Sequence, residues 1–182
     1  MLKILFVILF VIIAPLLGGL MAGIDRKITA RLQGRVGPSV LQPFYDVLKL
    51  FEKETMVVRR SQNFYVYFSL IFVIFTTGLF AWGANLLLVI FALTLSSIFF
   101  VLGGFKASSP YSFIGSQREL IQIASYEPAV LLSAIGMYMV TNSFNITTIF
   151  TFDKPLYNPL AGIFLAYLFI LPIKLRKSPF DL

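Results

Sequence analysis

The sequence predicts an all-α membrane protein with about five transmembrane helices and one amphipathic helix at the cytoplasmic interface. Hydrophobic residues make up 58% of its 182 residues and charged residues only 13%, too little polar surface for a soluble domain of that size. Mean hydropathy is +0.88. The apolar residues fall in long runs with the charges between them, the pattern that membrane topology requires. The net charge of +7 therefore reports topology. Nucleic acid is not an expected partner, because no basic face with interleaved aromatics accompanies the charge.

The chain reads as a single membrane domain over residues 1–182. Its first apolar run covers Leu2 to Gly23. That is long enough to span, and no A-x-A-like cleavage site precedes the charged segment, so a retained helix is preferred to a signal peptide. Four more runs follow at about Phe64–Trp82, Leu86–Phe105, Leu120–Val140 and Leu160–Ile173. Each approaches the ~20 residues that a ~30 Å hydrocarbon core needs. The last is short and contains Pro172.

Residues 40–54 differ. Val40, Leu41, Phe44, Val47, Leu48 and Phe51 recur at helical spacing, with Asp46, Lys49, Glu52 and Lys53 on the other side. This is an amphipathic helix, too short and too charged to span, with Pro43 in its first turn. It suits the lipid interface and a soluble partner alike.

Lys and Arg set the orientation. With the N-terminus outside, Arg26, Lys27, Arg31, Arg35, Lys49, Lys53, Arg59, Arg60, Lys106, Arg118, Lys174, Arg176 and Lys177 all face the cytoplasm, as the positive-inside rule demands. Only Lys3 and Lys154 fall outside, and the C-terminus is cytoplasmic. The outer loops are Gly83–Asn85, a tight turn, and Thr141–Pro159, rich in Asn, Thr and Phe.

Three places combine charge with membrane depth. The first holds Asp25, Arg26, Lys27, Arg31 and Arg35. Arg31 and Arg35 share a face if both are helical, and Gly34, Gly37 and Pro38 break the helix soon after. Guanidinium groups spaced this way can hold a partner's carboxylates bidentately, or simply be positive-inside charge. The second runs from Arg118 and Glu119 through Gln122 to Tyr126, Glu127 and Pro128, a polar strip entering the fourth span. Glu127 sits about two turns in, where an ionised carboxylate is costly unless paired or hydrated. Pro128 withholds a donor from the Ala124 carbonyl. A carboxyl so placed can relay protons, or be locked by a neighbouring Arg or Tyr. The third is the C-terminal Lys174 to Leu182, where Pro179 stiffens a turn that aims Asp181. Nothing in the chain forms a nucleophile elbow or phosphate loop. With no Cys and no His, the chain also has none of the thiolate or imidazole ligands that structural zinc, haem and iron–sulfur sites use, so a redox centre is expected in a partner.

In this order, the strings DRKITARLQGRVGP, LQPFYDVLKLFEKE, GSQRELIQIASYEPAVLLS and KSPFDL resemble the complex I subunit 1 family. The resemblance spans nearly the whole chain. Within the family the chain looks most like the small membrane anchor of energy-converting (Ech-type) [NiFe] hydrogenases. Asp25 stands where the NADH type usually has Glu. Only Ser39 and Val40 separate Pro38 from Leu41, a shortening that weighs against a full quinone chamber. Lys174 to Ser178 replaces a Thr-Asn-Arg-like turn. Family members continue past Pro-Phe-Asp into an acidic loop and further helices, so the sequence reads as stopping short of the family's length.

The resemblance implies a coupling subunit. Asp25, Arg26, Arg31 and Arg35 would dock a hydrogenase-like large subunit and an iron–sulfur small subunit. Arg118, Glu119, Tyr126, Glu127 and Asp181 would form the proton path, beside an antiporter-like membrane subunit. Ferredoxin would donate electrons, and the [NiFe] centre and iron–sulfur clusters would sit in the partners, none in this chain. The alternatives are the quinone-chamber subunit of proton-pumping NADH dehydrogenase, a passive membrane anchor, and an unrelated small transporter.

Overall fold

In the computed structural model, which describes residues 2–54, 60–152 and 156–176 apart from the side chains of residues 60, 157 and 158, the first helix outruns its apolar segment. Helix α1 covers Leu2–Leu32, about 46 Å at 1.5 Å per residue, whereas the sequence reading ends the span at Gly23. Apolar character sets where a helix leaves lipid, not where it stops. The stop is a capping motif. Gly34 is left-handed (φ 70°), its N–H donates to Arg31 O (3.0 Å), and the Arg35 N–H donates to Ala30 O (2.8 Å). This paired bonding closes the orphan carbonyls. Arg35 therefore lies beyond the helix and does not share a helical face with Arg31.

The chain then folds back along α1. A Cβ on Gly37 would lie 3.0 Å from Ala30 Cβ, and one on Gly23 would collide with the Val40 carbonyl. Helix α2, Gln42–Phe51, has Pro in its first turn, and Phe44 packs against Gly19. Arg26 pairs with Asp46 at 3.1 Å. Residues 1–56 form one compact unit and residues 57–182 another.

The second unit is a row of antiparallel helices: α3 (Arg60–Trp82), α4 (Leu86–Phe105), α5 (Pro110–Thr141) and α7 (Tyr157–Lys174), with the short α6 (Ile146–Phe150) before the last. Between α3 and α4, Ser96 Oγ donates to Ser69 O (2.9 Å), and Phe72 stacks on Phe99 at 5.4 Å. Between α4 and α5, Ser112 Oγ donates to Gly104 O (2.8 Å). Close approach through glycine and interhelical hydroxyl bonds is how helices associate in lipid, where burial of apolar groups supplies little drive. Against α7, Gly136 leaves space for Ile163. Val101, Ile123, Tyr126, Val130 and Ile170 form the buried core. At one end of this unit an antiparallel bridge joins Asn85 to Asn145, and Tyr138 stacks on Phe144 at 4.3 Å.

Helices α1, α3, α4 and α5 are long and apolar enough to cross a membrane. The fifth expected span is shorter. Its apolar stretch, Pro159–Lys174, rises about 24 Å, less than a ~30 Å core. Helix α4 matches its expected limits, but α5 begins ten residues earlier than Leu120, at Pro110, whose fixed φ suits a first helical position. Arg118 therefore lies on a helix and not in the expected inside loop. Helix α6 falls in the expected Asn- and Thr-rich loop.

Candidate functional site

The antiparallel pairing of α5 with α7 brings the strip on α5 against the basic end of α7. Glu119 is buried, only 8% exposed, and accepts from Arg176 Nε at 2.6 Å. The Arg176 guanidinium also lies over the Phe100 ring, 4.9 Å from its centroid, so its apolar face is covered while its edge meets the carboxylate. Arg176 adopts a left-handed backbone (φ 51°) just past the last turn of α7, its N–H donating to Ile173 O (3.0 Å).

About 12 Å further along α5, eight residues at 1.5 Å each, Glu127 accepts from Thr94 Oγ1 of α4 at 2.5 Å. Lys174 is close enough to act electrostatically on Glu127, and its Nζ lies 5.9 Å from the centre of the Tyr126 ring. Tyr126 is 7% exposed. Gln122 lies between the two glutamates. Its Oε1 is buried with no hydrogen-bond partner among the described residues. The bundle thus holds two carboxylates, one ion-paired with Arg176 and the other hydrogen-bonded to Thr94, with the Tyr126 phenol beside the second in sequence.

The structure brings Glu119, Tyr126 and Glu127 together on the inward side of α5. Arg118 is exposed, and the cation on Glu119 is Arg176. Asp181 lies outside the described residues. The sequence reading does not place Thr94, Lys174 or Arg176 on this path. A signal for Thr94 exists, since it opens a run of hydroxyls (Thr94, Ser96, Ser97) inside an otherwise apolar helix. Lys174 and Arg176 read equally well as ordinary charges at a helix end.

The expected docking residues belong to the other unit. Asp25, Arg26 and Arg35 line an open groove of about 430 Å³ with Thr29, Gln33 and Pro38. The Arg35 guanidinium donates to the Gln33 carboxamide. Arg31 is exposed and does not line the groove. Asp46 is held below the ordinary carboxylate value of 3.8, first by the Gln42 carboxamide and then by Arg26.

A family model described as NADH dehydrogenase matches residues 2–182. The chain belongs to the NADH dehydrogenase family. It is 30% identical to NADH-ubiquinone oxidoreductase chain 1 of Mycosarcoma maydis, over 87% of this chain and 54% of that one. It is also 30% identical to a subunit of the NADH-quinone oxidoreductase of Geobacillus kaustophilus, again over 87% of this chain and 54% of the relative. This family member therefore spans about half the length of those relatives. Among solved structures it resembles a chain of the membrane-bound sulfane sulfur reductase, an archaeal respiratory membrane complex, with a TM-score of 0.87 and 24% identity. All of this chain and 65% of that chain are covered. That likeness is one of fold. In this NADH dehydrogenase family member, the two glutamates lie on α5, which is long and apolar enough to cross a membrane, and Arg176 lies just past the end of the shorter apolar helix α7.

Proposed function

We propose that this chain is the membrane coupling subunit of a complex I-like respiratory oxidoreductase, specifically a ferredoxin-linked, ion-translocating energy-converting [NiFe] hydrogenase. The observation that carries the proposal is the pairing of Glu119 with Arg176 and of Glu127 with Thr94 inside an apolar bundle, with Lys174 over the neighbouring Tyr126 ring. An intramembrane ionisable group is costly to hold and marks an ion path by default. Two such groups, one ion-paired and one hydrogen-bonded, can exchange a proton for a change in partner. The short link from Pro38 to Leu41 favours the hydrogenase branch.

In this reading the [NiFe] centre and iron–sulfur clusters sit in partner subunits, since this chain contains no Cys and no His. The chain contributes the docking surface at Asp25, Arg26, Arg31 and Arg35 and the first stage of the proton path. A change of charge in the docked subunits alters the ionisation of Glu119 and Glu127, and an antiporter-like neighbour moves an ion. Moving one charge against 100 mV takes about 2.3 kcal/mol, and a two-unit change in proton affinity supplies about 2.7 kcal/mol, so modest electrostatics suffices. The chain sits in the cell membrane with its N-terminus outside.

The test is Glu127→Gln in the complete complex in proteoliposomes. Ion translocation is expected to be abolished while dye-linked hydrogen oxidation is retained. Unimpaired translocation rejects the coupling role and leaves a passive anchor. A second reading, the quinone-chamber subunit, is favoured by the names of the 30% identical relatives. Sensitivity of the purified complex to quinone-site inhibitors, and a large partner lacking the two Cys-x-x-Cys pairs that hold nickel, would decide for it.

A further inference from the structure

Along the inward strip of α5, Gln122 is the polar residue whose chemistry is unaccounted for. Glu119 has Arg176 and Glu127 has Thr94. Gln122 is half-buried, and no donor among the described residues reaches its Oε1. A buried carboxamide oxygen left without a donor costs about 1–3 kcal/mol, and folded proteins satisfy such atoms with a side chain or an ordered water.

The location of Gln122 gives this meaning. It lies one turn from Glu119, about 4.5 Å along the axis, and about 6 Å short of Tyr126. Gln122 and Gly136 are fourteen residues apart, close to four full turns, so they share the flank of α5 on which Gly136 meets Ile163 of α7. That is the flank to which Lys174 and Arg176 belong. The two glutamates stand about 12 Å apart along α5, too far for a direct hydrogen bond.

We propose that Gln122 Oε1 anchors a water molecule that links the Glu119–Arg176 pair to the Lys174, Tyr126 and Glu127 group. Resting on the coupling role proposed above, this makes Gln122 a positioning residue of the proton path. A carboxamide oxygen accepts one hydrogen of the water, leaving the other free to donate to a carboxylate and the oxygen free to accept from a cation. During transfer the water oxygen takes a proton from one neighbour as it gives one to the next. It ends unchanged, and Gln122 itself never titrates.

The test uses the complete complex in proteoliposomes, comparing Gln122→Leu, Gln122→Met and Gln122→Glu with the parent. Difference infrared spectra between oxidised and reduced states, recorded in H₂¹⁶O and H₂¹⁸O, should show an isotope-shifted band from a bound water in the parent. The band and ion translocation should be lost together in Gln122→Leu and Gln122→Met, with dye-linked redox turnover kept, and both should persist in Gln122→Glu, which keeps the acceptor. Met has nearly the length of Gln, so it serves if the Leu variant fails to assemble. A parent without an isotope-sensitive water band, or a Met variant that keeps both band and translocation, overturns the inference. Glu127→Gln run alongside separates the two levels: if it translocates normally, the coupling role fails, and if it alone is inactive, only the water fails.

Discussion

Arg176 combines an unfavourable backbone with a favourable side chain. Its left-handed conformation (φ 51°) costs a residue bearing a Cβ about 1–2 kcal/mol, offset here by Glu119 at 2.6 Å and the Phe100 ring. Arg176→Ala is expected to destabilise the complex by about 1–3 kcal/mol by leaving the buried carboxylate without its donor. The loss is no larger because the Arg176 side chain is 36% exposed and water screens the pair. Thermal unfolding in detergent checks it, and Glu119→Gln in the same background should recover most of the loss. In the other unit, Asp46 is held below 3.8 by Gln42 and Arg26. A carboxylate depressed in the folded state stabilises above its unfolded value, and that contribution is lost as pH falls through the folded value. Protection factors in α2, exchange corrected for the intrinsic amide rate, should therefore fall as pH drops below 3.8, and Asp46→Asn should remove that dependence. Glu119, Tyr126 and Glu127 were legible as a strip because their near-helical spacing survives in any helix. Arg118 was not separable from Glu119 in sequence, since one residue is about 100° of helix and only packing decides which side is inward.

Helix α2 returns along α1 because Gly19 and Gly23 leave it space. A Cβ at Gly23 meets the backbone of Val40, whereas at Gly18 it meets nothing within 4 Å. Gly23→Ala should therefore detach or displace α2 at a cost of about 1–3 kcal/mol, and Gly18→Ala should be silent. Protease protection of residues 42–51 distinguishes them. The lengths of the helices were less legible than their existence. Hydropathy marks passage through lipid, so it truncated α1 at Gly23 and α5 at Leu120, while the structure extends both through charged residues to a capping motif at Gly34 and to Ser109 and Pro110. Those caps were in the sequence, but a hydropathy window gives them no weight. Helix α6, five residues long, carries too little pattern to be read at all.

Across the whole molecule, the proposed orientation, with the N-terminus outside, would put the Glu119 end of α5 on the cytoplasmic side. The chain contains no Cys, so single introduced cysteines report topology cleanly. In right-side-out vesicles, Ser143→Cys should react with an impermeant maleimide and Lys106→Cys should not; the reverse pattern inverts the orientation. Four motifs in register were enough to find the family, but the meeting of Thr94, Lys174 and Arg176 with the glutamates arises from three helices distant in sequence, and no local pattern encodes it. The most direct measurement of the coupling claim is redox-difference infrared spectroscopy of the complete complex, with Glu127→Gln as reference. A protonated-carboxyl band is expected to appear or vanish on reduction in the parent and to be missing in the variant. Identical difference spectra from parent and variant would contradict it.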